Sequence, residues 1–225
     1  MFAKSQSDRG NVPLDSVDHG HGRLRGPASI RVRERTVMFT DIAGFTRLAE
    51  TLPPTLVARL LRSHFRLLAQ CIESEHGRID RIMGDGLIAV WEHTPAVERA
   101  CTAALRAAVA IRAAVGADNL ERRRRGQPPI ELRVGVHAGP LIATPLGAAG
   151  CLGMVLCGDT VNVAQRLEDA ARGVGSGRAV TIVASDAVVA RAGRGFRFNE
   201  LGQLAVRGRR EPVPAFEVSS LDEDG

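Results

Sequence analysis

Apolar residues along this chain fall in short blocks whose period switches between two and 3.6. The block 35–40 has Val37, Met38 and Phe39 at its centre and polar neighbours on both sides, so it reads as a buried strand. From Thr55 to Glu75 the apolar positions Leu56, Leu60, Leu61, Phe65, Leu68 and Ile72 recur at helical spacing, and Gly77 is placed to end that helix. "GRIDRIMGDGLIAVW" predicts strands at Arg78–Met83 and Leu87–Trp91, joined at Gly84-Asp85-Gly86, because Asp-Gly between apolar runs favours a hairpin. Pro95 suits a first helical turn, and an Ala-rich helix follows to about Val115, then a loop holding Arg122–Arg125. "IELRVGVHAGPLIA" reads as a strand, a glycine break and a second strand. "GDTVNVAQRLEDAAR" starts a helix that Asp159 or Thr160 is able to cap. The last third predicts short strands and one short helix. The order β-α-β-β-α-β predicts an α+β, ferredoxin-like core with C-terminal additions. We expect a disordered lead-in over 1–34, one folded domain over 35–219, and an acidic tail over 220–225.

Composition narrows the function classes. The chain has 225 residues, 44% of them apolar, enough for one real core. It contains no uninterrupted apolar run of membrane-spanning length and no apolar leader segment, so no membrane span is expected. Cys71, Cys101, Cys151 and Cys157 lack metal-ligand spacing and sit in apolar contexts, which reads as reduced, buried thiols in a cytoplasmic protein. His19 and His21 fall in the polar lead-in and read as tail residues. The net charge of +5 raises nucleic acid as a partner. With no Tyr and only 4% aromatics there is no base-stacking platform, so no nucleic acid is expected. The Arg122–Arg125 run reads as a solvated loop.

The chemistry begins where the first strand ends on a charge, in "VMFTDIAGFT". In a ferredoxin-like sheet the hairpin lies beside the first strand, so Asp41 and Asp85 would converge at one edge. Like charges side by side are unfavourable unless a cation neutralises them, and an all-oxygen donor set favours Mg²⁺ or Mn²⁺. Ala43-Gly44 lets backbone N–H groups approach an anion closely. Taken alone, Asp85 is an ordinary hairpin aspartate; the pair in this order reads as half a metal–triphosphate site. Asn162 and Arg166 lie four apart on one predicted helix and share a face. They suit a sugar and a charged phosphoryl group, although alone they are an ordinary surface pair.

"FTDIAGFT", "IMGDGLIAV", "VGVHAGPL" and "GDTVNVAQRLE", in this order, resemble the class III nucleotidyl cyclase catalytic domain, over roughly Arg35 to the C-terminus. The resemblance implies conversion of a nucleoside triphosphate into its 3′,5′-cyclic monophosphate and pyrophosphate. It also implies two divalent cations and a head-to-tail homodimer with sites at its interface. Asp41 and Asp85 match the metal aspartates, with the Ile42 carbonyl as a further ligand. The turn Ile42–Thr46, including Ala43, Gly44, Phe45 and Thr46, matches the triphosphate segment. Asn162 matches the ribose-orienting residue and Arg166 the transition-state arginine. Arg207 stands in the place of a phosphate-binding lysine, with Arg209 as an alternative. Asp41 and Asp85 would come from one subunit, Asn162 and Arg166 from the other.

Two positions depart from the family pattern. Adenylate cyclases typically carry Lys where this chain has Arg81, and Asp or Thr where it has Val155; guanylate cyclases typically carry Glu and Cys. Arg81 offers only donors, which suit adenine N1, guanine O6/N7 or a uracil carbonyl, and Val155 offers no partner. ATP is the default substrate; GTP and pyrimidine triphosphates stay open, as does a catalytically silent domain that binds nucleotide or a partner. A palm-type polymerase or dinucleotide-forming enzyme fits less well, since the chain carries "GDTVNVAQR" and no Gly-Gly-Asp-Glu-Phe run.

Overall fold

The computed structural model describes residues 32–93, 97–145, 154–174, 177–206 and 208–220. In chain order the elements are β1 (Val32–Ile42), α1 (Phe45–Thr51), α2 (Pro54–Ser74), β2 (Arg78–Met83), β3 (Gly86–Glu92), α3 (Val97–Arg124), β4 (Leu132–Pro145), β5 (Met154–Cys157), α4 (Asp159–Ala171), β6 (Val180–Ser185), α5 (Asp186–Val189), β7 (Phe196–Leu204) and β8 (Val213–Ser220). They build one sheet in the order β2-β3-β1-β4-β6-β8-β7, with β5 paired to β4 off that path. Its first four strands are the ferredoxin-like core. The rest are the C-terminal additions, with β6 running parallel to β4 across the α4 crossover.

Alternation along β1 splits the core in two. Met38 and Ile42 join the large cluster formed with Leu60, Leu68 and Ile72 of α2 and Leu105 and Ile111 of α3. Val37 and Phe39 point to the opposite face, where they pack with Leu141 and with Ala164 of α4. Each fully buried Leu or Ile contributes roughly 1.5–3 kcal/mol, so the site at the end of β1 is anchored from both faces. Asp41 follows the odd alternation and falls on the α4 side.

Several elements differ from the pattern read off the sequence. β1 begins three residues earlier than the apolar block, because its start pairs with the far half of β4. The glycine break expected in β4 is absent. Gly139 stays inside the strand opposite Arg35, and a Cβ there would meet Thr160 Oγ1 at 2.8 Å; the glycine makes room for the start of α4.

The Arg run is helical, not a loop. Arg122, Arg123 and Arg124 form the last turn of α3, where cations complement the helix dipole. Glu121 pairs with Arg124 and Arg125, and Arg122 is buried with its Nε on the Pro128 carbonyl at 2.9 Å. Pro95 lies outside the described residues. By length and mean apolarity Glu98–Arg124 would suffice to cross a membrane, although it holds no uninterrupted apolar run of that length. In this fold its Cys101, Ala104, Leu105, Ala108 and Ile111 are core residues against the sheet. Among the described cysteines, Cys101 is buried and Cys71 half-buried, but Cys157 is exposed, because it ends β5, which pairs only with β4. Cys151 lies outside the described residues.

Candidate active site

Asp41 is the penultimate residue of β1, and Asp85 sits in the two-residue turn between β2 and β3. β3 is hydrogen-bonded to β1 with Leu87 opposite Thr40. Gly86 makes the close approach possible: a Cβ there would lie 2.5 Å from the Thr40 carbonyl oxygen. The two carboxyl groups consequently come within hydrogen-bond reach of each other. Partial burial, then the Asp41 charge, pushes the Asp85 carboxyl above its usual range, while the backbone N–H groups of Asp85 and Ile42 pull it back.

Two converging carboxylates in a partly buried corner form a donor set that fits a hard divalent cation, which would relieve their mutual repulsion. Among the described residues no group of three or more His, Cys, Asp and Glu side chains forms a fuller cage. Further ligands would have to be backbone, water or substrate oxygens.

Behind Asp41 the chain turns through Ala43 and Gly44 into α1, a helix absent from the sequence reading. Gly44 adopts φ +70°, a left-handed conformation that disfavours a Cβ, and no side chain caps α1. Ala43 commits its N–H to the Glu131 carbonyl at 2.8 Å. Phe45 and Thr46 open the helix, so their N–H groups face its N-terminal end. A cavity of about 500 Å³ beside the turn is lined by Ala43, Gly44, Glu131, Arg133, Arg172 and Arg178.

Sequence reasoning missed Arg133 and Glu168. Arg133 sits directly opposite Asp41 in the β1–β4 register, and its Nη2 donates to Asp41 Oδ2. Its Nε lies 2.7 Å from Glu168 Oε1, with side-chain exposures of 9% and 4%. This second contact is an ion pair without the alignment of a hydrogen bond. Burial raises the Glu168 carboxyl to about 7 despite the Arg133 charge, which pulls it down. Signals were present: an Arg inside the apolar run "LRVGV", and a Glu on the apolar face of α4.

α4 has two faces. Thr160, Val163, Ala164, Leu167, Glu168 and Ala171 are buried against the sheet. Asn162 and Arg166 are exposed on the other side. Arg166 makes a 3.1 Å contact with Asp169, itself partly exposed. The fold therefore brings Asp41, Ile42, Asp85 and the 43–46 turn together, while Asn162 and Arg166 lie on the exposed face of α4.

Arg81 lies on β2 beside an irregularity between Ile79 and Arg81, and its Nε donates to Asp80 Oδ2 at 2.9 Å. Val155 is placed on β5 opposite Thr144. Arg207 lies outside the described residues. Arg209 is described and pairs with Asp159 at the start of α4, at 3.3 Å.

Comparison with known proteins gives a consistent result. The sequence model of the adenylate and guanylate cyclase catalytic domain matches residues 29–218. Adenylate cyclase 1 of Rhizobium meliloti (strain 1021) is 34% identical over 209 residues, which is 92% of this chain and 31% of that protein. The adenylate cyclase of Anabaena cylindrica is 26% identical over 195 residues, 84% of this chain and 37% of that protein. The chain thus spans about a third of the length of these curated relatives. Among solved structures, the adenylyl cyclase CyaB from P. aeruginosa superposes with a TM-score of 0.78 at 26% identity, covering 88% of this chain and 100% of that one. The guanylyl cyclase Cya2 shares the fold with a TM-score of 0.72 at 24% identity, covering 85% and 94%. The paired carboxylates, the glycine-supported turn and the matched sequence place this chain in the adenylate and guanylate cyclase catalytic-domain family.

Proposed function

We propose that this chain is a nucleotidyl cyclase that works as a homodimer, makes a 3′,5′-cyclic nucleotide and pyrophosphate, and serves intracellular signalling. The observation that carries the reading is the division of groups in the protomer: Asp41 and Asp85 converge, while Asn162 and Arg166 lie exposed on the outer face of α4. A second copy would complete each site.

Asp41, Asp85 and the Ile42 carbonyl would hold two Mg²⁺ or Mn²⁺ ions. When bound, these ions would lower the pKa of the ribose 3′-hydroxyl and neutralise phosphate charge. Gly44, Phe45 and Thr46, with Ala43 as their backbone anchor, would cradle the triphosphate. The partner's helix would contribute two groups: its asparagine orients the ribose, and its arginine offsets charge on the phosphoryl group during in-line attack. Attack by the 3′-oxygen on the α-phosphorus forms the cyclic ester and breaks the bond to the bridging oxygen, so pyrophosphate leaves and the hydroxyl proton passes to solvent. Arg207, or Arg209 in its place, would hold the departing phosphates.

ATP is the proposed substrate. A second reading, GTP, is favoured by Arg81, whose donors suit guanine O6 and N7. The test is turnover of ATP, GTP, UTP and CTP, each offered separately with Mg²⁺ and with Mn²⁺, and Asp41→Ala as control. One cyclic product that the control does not make supports the proposal. No product from any of the four, from protein shown to be dimeric, overturns it in favour of a silent binding domain.

A further inference from the structure

Arg133 is shared between two carboxylates that belong to different elements. Asp41 comes from the end of β1 and Glu168 from the buried face of α4. The sharing is built into the packing. A Cβ on Gly135, two residues along β4 and on the same face as Arg133, would lie 2.1 Å from the Ala164 carbonyl and 2.4 Å from the Glu168 nitrogen. The helix therefore rests directly on the strand, and the Glu168 side chain reaches Arg133 with almost no solvent between them. Arg133 is the cation that competes with any metal ion for the Asp41 carboxylate. A guanidinium divided between two carboxylates holds each less tightly than one given wholly to a single partner.

We propose that Glu168 is a positioning residue that sets the metal affinity of Asp41 by drawing Arg133 away from it; this rests on the reading of Asp41 as a metal ligand. Without the Glu168 carboxylate, Arg133 closes onto Asp41 and opposes the metal. The effect depends on reach as well as charge. Glu168→Asp keeps the negative charge but withdraws it from Arg133, so it behaves like Glu168→Gln.

The test is Mn²⁺ binding to the full chain, followed by electron paramagnetic resonance of free Mn²⁺, with thermal melting recorded in parallel. Relative to the unaltered chain, both Glu168→Gln and Glu168→Asp are expected to weaken Mn²⁺ binding roughly three- to tenfold, in the lower part of the range of coupling within one charge network. A Glu168→Asp chain that binds as the unaltered chain does, while Glu168→Gln binds more weakly, means that charge alone matters and overturns the proposal. Lowered melting in both variants with unchanged Mn²⁺ affinity also overturns it, leaving Glu168 a packing residue. Asp41→Asn is the separate control. If it binds Mn²⁺ as well as the unaltered chain, the metal reading of Asp41 fails, and the role of Glu168 falls with it.

Discussion

The carboxylate end of β1 and the outer face of α4 carry charge in opposite ways. Asp41 is fixed from beneath by Arg133, which is fixed in turn by Glu168, and both of those partners are nearly sealed from water. Arg166 pairs with the partly exposed Asp169, and Asn162 is exposed beside it. The first region is organised within the protomer at the cost of burying charge. The second spends nothing on internal packing and keeps its donors for an external surface. Under the proposed function, the groups that would hold a compact, charged ligand are mounted on buried partners, whereas those that would complete a joint site lie on an exposed helix face.

The contrast can be broken at either side. The largest expected effect is at the buried end: Arg133→Met leaves Glu168 buried without its cation, and removing one member of a buried pair costs about 3–5 kcal/mol. Chemical denaturation should show this loss. Arg166→Ala should leave denaturation unchanged yet lower kcat by about 10²–10³-fold, as for the loss of one transition-state donor. A stability loss there as large as at Arg133 would erase the distinction between the two regions. A smaller effect is expected at the position proposed to read the base. If ATP is the substrate, Val155→Asp supplies an acceptor for the adenine amino group and should raise kcat/KM for ATP about ten- to a hundredfold. No change would mean that backbone or water already fills that role.

The smallest effect concerns the scaffold. Burial, then the Arg122 charge, lowers the His64 pKa from 6.5 to about 4. Because the folded value is below the unfolded one, His64 contributes stability above pH 6.5 that is lost as pH falls through about 4. Melting between pH 7 and 4.5 should fall less steeply in His64→Leu than in the unaltered chain. Equal slopes would exclude His64 from the acid response.

What could be read from the sequence was local. The block at 35–40, the Asp-Gly hairpin and the periodicity of α4 each signal their element within a few residues, and together they bring Asp41 and Asp85 to one edge. Contacts set by register were not readable. Nothing local says that Arg133 stands opposite Asp41, or that Glu168 reaches over Gly135 to meet it. A charged residue within an apolar period was the trace they left. The same limit explains α3: four consecutive arginines resemble a solvated loop until Asp118, Glu121 and the Pro128 carbonyl are seen to receive Arg122, Arg124 and Arg125. In β4, Gly139 resembled a break because its function is to admit a helix that lies far away in sequence.

The central claim is that a complete site needs two protomers, and mixing variants tests it most directly. Asp41→Ala and Arg166→Ala chains, each inactive alone, would be co-expressed with distinct tags and assayed with the preferred nucleotide. Each mixed dimer contains one site with both groups intact. Random pairing in a two-fold dimer therefore predicts recovery of about a quarter of the unaltered activity. A mixture that contains verified mixed dimers and stays inactive would contradict the account, since it would place Asp41 and Arg166 in the same protomer's chemistry.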